Sequence, residues 1–309
     1  MNDVPLPIDK SEILFLYEST YSIPNGDPFT GEQRYDEETK RILISDVRIK
    51  RFVRDFLFEA GQDIYVRNDR SNVKQATKES DAESGAAARY NTLELQFAKG
   101  TPAQEILSSL IDVRLFGGIS TKTGNAVNLT GPVQFALLNP SLHAVDLRMH
   151  QNTSVFSSST EKTRGTIGTT TVVPYALNQI HGWINPYSAR HTTLSEKDVQ
   201  TLFHAMWASI NNANTRTKAN QSSMLLLQVV YADPAKKLYG LDRLIKIIPK
   251  DDKRGEQLRS REDYDFDFQR LKEAVHDSVA IKAVRFYTED AAIKSELTAT
   301  PKFAELPLS

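Results

Sequence analysis

Six basic side chains lie within fifteen residues of this 309-residue chain and are the strongest candidates for binding chemistry. They are Lys40, Arg41, Arg48, Lys50, Arg51 and Arg54, with Asp46 as the one acidic residue among them. Ser45 and Asp46 are typical of a helix start, because serine caps the first turn and an acidic side chain suits the positive end of the helix dipole. Cations beside a helix N-terminus bind phosphates well. A solvated, charged helix face is the alternative.

The faces of this helix follow from its spacing. At about 100° per residue, Ile49, Phe52 and Leu57 share an apolar face. On the same spacing, the cluster's last three cations fall on the opposite face. They are Lys50, Arg51 and Arg54.

A glycine-rich segment at 116–132 superficially resembles a phosphate-binding P-loop. That motif requires a glycine directly before its lysine, whereas Thr121 precedes Lys122 here. The spacing therefore argues against a nucleoside triphosphatase. A flexible loop and a backbone contact to RNA, through Gly117 and Gly118, both stay open.

Patterns that would indicate catalysis are missing from the sequence. Cysteine is absent, which removes disulfides, thiolate metal sites and a cysteine nucleophile. The six histidines lack zinc-protease spacing, and there is no G-x-S-x-G nucleophile motif. We therefore predict no catalytic residue, no metal site and no cofactor.

Residues 150–173 form a Ser/Thr/Gly-rich stretch whose flanks are predicted to pair as a long hairpin. Its few apolar groups, such as Val155 and Phe156, suit an arm whose tip wedges between bases while Arg164 meets the RNA backbone. A surface loop without a ligand is an equal alternative.

Composition fits a cytoplasmic protein that assembles on a polyanion. Lys and Arg number 38 against 39 Asp and Glu, so net charge alone does not indicate nucleic acid. Separate basic and acidic surfaces, the latter around 263–267, would suit head-to-tail stacking. The N-terminus lacks a signal-peptide pattern and no segment is apolar enough to span a membrane, so we expect a cytoplasmic protein without a membrane partner.

Apolar patterns place the secondary structure. They predict strands at 11–17, 133–138, 142–149, 172–175, 224–231 and 281–287, and helices from Ser45 and at 102–113, 195–211 and 268–277. Residues 67–90 are polar and mixed in charge, which predicts a mobile insertion. The order lacks regular βαβ spacing, so we expect an α+β fold with an antiparallel sheet, helices on one side and long insertions.

Several motifs in the same order resemble the Cascade backbone family, numbered seven among the CRISPR-associated (Cas) proteins and part of the RAMP superfamily. They lie at 23–28 (IPNGDP), 34–36 (RYD), 44–55 (ISDVRIKRFVRD), 112–118 (DVRLFGG), 129–135 (LTGPVQF), 172–177 (VVPYAL) and 222–227 (SSMLLL). Their form is closer to type I-B than to type I-C, and the similarity spans about 11–231.

This resemblance implies a modified RRM-like (ferredoxin-like) palm across 1–309, with a finger-like insertion at 61–101 and a thumb hairpin at 150–173. It implies a non-enzymatic subunit that polymerises as a helical filament along the guide spacer for antiviral defence. The implied partners are crRNA, the target DNA strand paired to the guide, copies of this chain and other Cascade subunits. The predicted RNA-binding residues are Asn25, Arg34, Lys40, Ser45, Arg48, Lys50, Arg51, Arg54, Arg114, Gly117, Gly118 and Arg164.

A metal-dependent RAMP endoribonuclease is the competing hypothesis. Related enzymes cut RNA with an aspartate in the loop after the first strand, and Asp27 and Asp36 lie in that loop here. The prolines beside Asp27 favour a structural turn, in which its carboxylate bonds the local backbone.

Overall fold

A computed structural model describes residues 5–67, 86–153 and 167–308. Its strands are β1 (Ser11–Ser22), β2 (Tyr35–Asp36), β3 (Arg41–Ser45), β4 (Gly117–Ser120), β5 (Val127–Thr130), β6 (Val133–Phe135), β7 (Leu138–Pro140), β8 (Arg148–Thr153), β9 (Ile167–Ile184), β10 (Gln221–Tyr231), β11 (Lys246–Pro249), β12 (Tyr264–Asp267), β13 (Ile281–Tyr287) and β14 (Phe303–Glu305). Its helices are α1 (Asp46–Glu59), α2 (Ala86–Glu94), α3 (Ala103–Ser108), α4 (Ile111–Phe116), α5 (Pro186–Thr192), α6 (Glu196–Asn211), α7 (Gln269–Asp277) and α8 (Ala291–Thr298).

A seven-stranded sheet organises the chain in the order β14-β13-β10-β1-β9-β6, with β8 paired to β9. Strand β1 runs antiparallel to both of its neighbours. The β13–β14 pair is parallel, so the sheet is mixed and the predicted purely antiparallel sheet is wrong at this edge. The α+β class is confirmed.

Strand β1 is buried on both faces because its side chains alternate between two apolar cores. Ile13, Phe15 and Tyr17 pack into the core that contains α1 and α6. Leu14 and Leu16 pack into a second core on the opposite face. The predicted strand at 11–17 is confirmed, and it continues to Ser22.

The two helices on the first face begin where the sequence predicts. The Ser45 hydroxyl accepts the Arg48 amide at 3.3 Å and caps α1. The Ser195 hydroxyl accepts the Asp198 amide at 3.2 Å, and the Asp198 carboxylate accepts the Ser195 amide, so α6 begins with a capping box. Predicted helices from Ser45 and at 195–211 are thus confirmed.

The opposite face of the sheet is covered by the C-terminal part of the chain. Helices α7 and α8 contribute Leu271, Val275, Ile293 and Leu297 to the second core. The prediction of helices on one side only is therefore wrong. The predicted helix at 268–277 and strand at 281–287 are confirmed, but α8 and β14 follow them and complete that layer.

A third apolar cluster joins α2, α3, α4 and the β4–β5 hairpin. The single helix predicted at 102–113 is wrong, since Leu110 is extended (φ −94°, ψ 131°) and separates α3 from α4. Tyr90 is fully buried in this cluster, so the insertion predicted at 67–90 ends before α2; residues 68–85 lie outside the described part. The glycine-rich segment at 116–132 is a hairpin and not a flexible loop.

A long ribbon leaves the sheet where β8 pairs antiparallel with the start of β9. The predicted pairing of the flanks of 150–173 is therefore confirmed, and its tip, residues 154–166, lies outside the described part. Strand β9 has 18 residues, because the short strand predicted at 172–175 continues to Ile184 as the neighbour of β1.

Shorter elements account for the remaining differences. The strand predicted at 133–138 stops at Phe135, where the chain turns toward β7, and most of 142–149 is not in a strand. The strand at 224–231 is confirmed as part of β10, and α5 was not predicted. No helix in the described ranges is long and apolar enough to cross a membrane.

Candidate nucleic-acid interface

The loop after β1 is fastened to the start of α1 by Asn25. This side chain is buried, and its Oδ1 accepts the Ser45 hydroxyl at 2.9 Å and the Ser45 amide at 3.3 Å. The Asn25 amide in turn donates to Oε1 of buried Gln33 at 2.9 Å. Two predicted RNA-binding residues, Asn25 and Ser45, thus hold the loop against the helix N-terminus. Their geometry positions the neighbouring cations.

Arg48 and Lys218 are close enough at this helix start to repel each other, and neither forms an ion pair in the described part of the chain, although Asp55 attracts Arg48 from beyond ion-pair distance. Arg48 is partly buried, and its guanidinium carbon lies 4.2 Å from the centre of the Phe52 ring. Its buried Nε has no hydrogen-bond partner among the described residues. The Lys218 ammonium donates to the carbonyl oxygen of Ile23. Within the described ranges no carboxylate lies within 4 Å of either cation, so the pair is suited to an anion from outside the fold.

Burial changes the protonation chemistry of this pair. Desolvation, followed by repulsion from Arg48, lowers the pKa of Lys218 to about 8. Desolvation also lowers the pKa of Arg48. The Tyr17 hydroxyl beside them is fully buried without a hydrogen-bond partner in the described part, and burial raises its pKa. A bound phosphate would compensate both cations, whose burial is otherwise unfavourable.

The other predicted RNA-binding cations that lie in the described ranges each have an acidic partner. The pairs are Arg34–Asp27 at 3.1 Å, Lys40–Asp146 at 3.3 Å, Lys50–Asp46 at 3.2 Å, Arg51–Asp55 at 2.6 Å, Arg54–Asp112 at 3.1 Å and Arg114–Asp198 at 2.8 Å. Exposed pairs contribute little to stability and can exchange their partner for a phosphate. Arg34, Lys40 and Arg51 belong to this exposed class.

Arg54 and Lys50 are largely buried, so the alternative of a solvated helix face is wrong for these two residues. Each side chain is 14% exposed. Arg54 pairs with fully buried Asp112, whose carboxylate also accepts the amides of Tyr65 and Val66. Arg54 therefore fastens α1 to the third cluster. Lys50 reaches Gln134 on β6 at 3.1 Å.

Arg114 is also committed to the fold. Its guanidinium binds both carboxylate oxygens of Asp198, at 2.8 and 3.1 Å. It donates further to the carbonyl oxygens of Ser108 and Ser109 at the end of α3. The pair joins α4 to α6, and the hydrogen bonds satisfy carbonyls that a helix end leaves free.

Gly117 has a packing reason to be glycine. Its φ is +83°, and a Cβ there would overlap the carbonyl oxygen of Leu129 across the β4–β5 hairpin. A Cβ on Gly118 would lie 3.2 Å from the Val113 side chain. These contacts explain both glycines without a ligand, and an RNA contact stays a prediction. Arg164 lies outside the described residues.

Lys218 and Arg216 are missing from the sequence-based prediction. Both lie in the short segment TRTKAN between α6 and β10, which turns back toward the end of β1. The Ile23 amide donates to the Thr217 carbonyl at 2.8 Å and holds the two segments together. Two cations in a six-residue turn are a detectable signal, but their proximity to Arg48 depends on the tertiary fold.

The family model of CRISPR-associated protein Cas7 matches residues 9–269 of this chain. The chain belongs to the Cas7 family. It is 30% identical over 289 residues to CRISPR-associated protein Cas7 of Haloferax volcanii, a match that covers 87% of this chain and 83% of the relative. The family resemblance is thus confirmed, and the matched range contains every predicted RNA-binding residue.

Solved structures with a similar fold support the same architecture. A chain of a CRISPR RNA-guided surveillance complex superposes with a TM-score of 0.55 at 15% identity, covering 97% of this Cas7-family chain and 95% of the other. A chain of a second complex, described as pre-nicking, gives 0.53 at 15% identity with 97% of both chains covered. At this identity the likeness shows the fold.

Asp27 and Asp36 both close local turns in this Cas7-family chain. Asp27 Oδ1 accepts the amides of Phe29 at 2.9 Å and Thr30 at 3.3 Å. Asp36 accepts the Thr39 hydroxyl at 2.6 Å. Hydrogen bonds, led by those from Phe29 and Thr39, lower the pKa of both carboxyls. The predicted backbone-bonding turn at Asp27 is confirmed. In the described ranges no three His, Asp or Glu side chains converge to hold a metal.

Proposed function

We propose that this Cas7-family chain binds crRNA as the repeated backbone subunit of a type I-B Cascade. Family membership supports a CRISPR role, and the Arg48–Lys218 pair is the observation that carries RNA binding. Two partly buried cations beside a capped helix start, with no ion-pair partner among the described residues, suit backbone phosphates. Such contacts are independent of sequence, as a subunit coating any guide requires.

The palm of the proposed backbone subunit corresponds to β10-β1-β9-β6 with α1 and α6. Counted along the chain, β1, β6, β9 and β10 are the first, second, third and fourth strands of this palm. In the sheet they lie in the order four-one-three-two, and neighbouring strands are antiparallel. Helix α1 follows the first strand and α6 follows the third. This arrangement supports the RRM/ferredoxin-like assignment. The sheet face is covered by the second core, so we propose that RNA follows the helix side at the N-terminus of α1.

The finger and thumb are proposed at 61–101 and 150–173. The third apolar cluster gives part of the finger its own support, and the β8–β9 ribbon supports the thumb. We propose that copies stack head to tail in the cytoplasm, together with other Cascade subunits, and present the guide to a target DNA strand. A heterologous contact of this kind extends along a polymer without closing into a ring.

The test of RNA binding is the nucleic acid that copurifies with the chain. We expect co-expression with a CRISPR array to yield a ribonucleoprotein whose extracted RNA, when sequenced, is enriched in guide spacers. Electron microscopy should show copies at a regular interval along it. RNA of random cellular origin, or none, would contradict the backbone role.

We propose further that the subunit does not cleave RNA. The turn bonds of Asp27 and Asp36 support this, because they occupy the carboxylate oxygens with local donors. We expect Asp27→Ala to lower the Tm, since the turn loses its acceptor, and to leave complementary labelled RNA uncut in Mg²⁺, as in the unsubstituted complex. Regular metal-dependent cuts that disappear in Asp27→Ala or Asp36→Ala would establish the endoribonuclease instead.

A further inference from the structure

Tyr21 combines a strained backbone with an exposed ring. Its φ is +45°, in the left-handed region that is unfavourable for residues with a bulky side chain. The side chain is 64% exposed, so burial offsets little of this strain. Strain at a non-glycine residue that does not serve packing indicates a functional contact.

Tyr21 is one of the residues that line a cavity of about 220 Å³. Three segments meet there: the end of β1, the root of the β8–β9 ribbon and the turn before β10. Its walls include Tyr21, Ile23, His150, Thr170, Val172 and Arg216. Whole small-molecule sites usually have about 300–1,000 Å³, so this cavity suits one planar ring.

The chemistry of the walls favours a nucleobase. None of the eight lining residues is acidic, and Arg216 forms no ion pair with the described residues. Tyrosine offers a stacking face, while Arg216 and His150 offer planar groups that stack on bases or donate to their edges. Ile23 lines this cavity, and its carbonyl oxygen accepts a hydrogen bond from the Lys218 ammonium. The cavity therefore adjoins the proposed phosphate site.

We infer that this cavity holds an unstacked base of the bound RNA on the ring of Tyr21, next to phosphates held by Arg48 and Lys218. The inference rests on the proposed RNA binding and adds a base site to it. The position at the root of the ribbon places this base where the proposed thumb leaves the palm.

Substitution of Tyr21 by glycine separates stacking from stability. Glycine accepts positive φ without strain, so Tyr21→Gly should raise the Tm. Loss of the ring should weaken binding of a fluorescein-labelled single-stranded RNA by about 5- to 150-fold, the range for one base stacked on an aromatic ring. The salt dependence should stay unchanged, because no phosphate contact is lost. Tyr21→Phe should retain the affinity.

Tyr239 provides the matched control. It is 82% exposed, and the guanidinium carbon of Arg243 lies 5.1 Å from the centre of its ring. It lies near the opposite end of the sheet, where the Leu238 amide donates a hydrogen bond to the Tyr231 hydroxyl. Tyr239→Ala should leave RNA affinity unchanged. Irradiation of an iodouridine-substituted RNA complex should crosslink Tyr21 and not Tyr239, as mapped by mass spectrometry.

The outcomes distinguish this inference from the proposed function. RNA binding that depends on Arg48 and Lys218 but is equal in Tyr21→Gly and the unsubstituted chain would overturn the base site and leave RNA binding intact. A Tyr21 crosslink to a second copy of the chain instead of RNA would also overturn it. Absence of RNA binding in the unsubstituted chain would overturn both.

Discussion

Two positions on α1, its first turn and a point about two turns further on, carry the same kinds of basic side chain in opposite electrostatic settings. At the start of the helix, Arg48 lies beside Lys218 with no carboxylate within 4 Å among the described residues. Two turns later, Arg54 meets the buried Asp112 at 3.1 Å. Periodicity places both arginines in one cluster, but the fold pairs Arg54 with a carboxylate and gives Arg48 no ion pair among the described residues. The difference separates a structural cation from one that we propose to bind phosphate.

The Arg54–Asp112 pair should show the largest effect on stability. We expect Arg54→Ala to lower the free energy of unfolding by about 3–5 kcal/mol, because it leaves Asp112 buried and unpaired. Urea denaturation measures this change. The double variant Arg54→Met with Asp112→Asn, which removes both charges, should recover part of the loss. A loss under about 1 kcal/mol in Arg54→Ala would mean that the pair is not structural.

The Arg48–Lys218 pair should show the reverse, with a large effect on RNA binding and no loss of stability. The double variant Arg48→Met with Lys218→Met should weaken single-stranded RNA binding about 100-fold or more, since each charged hydrogen bond contributes about 1.5–3 kcal/mol. The slope of log affinity against log salt should become shallower by about 0.7 for each lost phosphate contact. The Tm should stay the same or rise, because uncompensated buried charges are removed while the side-chain stems remain.

The exposed lysines of the segment after β10 are the matched control for this loss of charge. Lys236→Met with Lys237→Met removes the same net charge from the far end of the sheet. Equal weakening by both double variants would show that RNA senses total charge and not a site at α1.

RNA binding at the Arg48–Lys218 pair should depend on pH, because Lys218 titrates near neutral pH. Its pKa is lowered from 10.5 to about 8, so the ammonium loses its proton as pH rises through 8. We expect RNA affinity to fall several-fold between about pH 7 and 9. The unfolded chain binds more protons at Lys218 between its two pKa values, so the contribution of Lys218 to stability increases as pH rises from about 8 to about 10.5.

Lys218→Arg separates this titration from other alkaline effects. Arginine keeps its charge throughout the range, so the fall in affinity should disappear in that variant. An identical pH profile in Lys218→Arg and the unsubstituted chain would show that another group is responsible.

The smallest effect on stability is expected at Arg51, which lies between Arg48 and Arg54 on the helix. Arg51 pairs with Asp55 one turn away, and both side chains are more than 40% exposed. Arg51→Ala should lower stability by about 0.3–0.5 kcal/mol. Its effect on RNA affinity should stay well below that of the Arg48–Lys218 variant, and an equal effect would extend the binding surface along the whole helix.

Local sequence signals predicted the elements but not their tertiary partners. The cap at Ser45 and the apolar face of α1 are local, and both are confirmed. Asp112 lies 58 residues from Arg54, so its contact depends on the break between α3 and α4, where no proline or glycine marks Leu110. The spacing places Lys50, Arg51 and Arg54 on one helix face, and of these three the structure leaves Arg51 the most exposed.

The residues of the candidate site also differ in how far the sequence alone could predict them. Asn25 was predicted from its motif, and its buried bond to Ser45 shows how the loop is held. The two cations of the TRTKAN segment are a local signal, but the proximity of Lys218 to Arg48 depends on a turn that returns to β1, and the role of Tyr21 depends on a backbone angle. Family membership was recognisable from several ordered motifs, since these span most of the matched range.

The position of β1 determines when the chain can fold during synthesis. This strand is made first, yet its neighbours are β9 and β10, and β10 ends at Tyr231. A ribosome that adds about 5–20 residues per second needs roughly 10–45 s to progress from β1 to the end of β10. For most of this time, until β9 emerges, the apolar run from Ile13 to Tyr17 has no strand to pair with. The nascent chain therefore depends on protection from aggregation until its last core strands emerge.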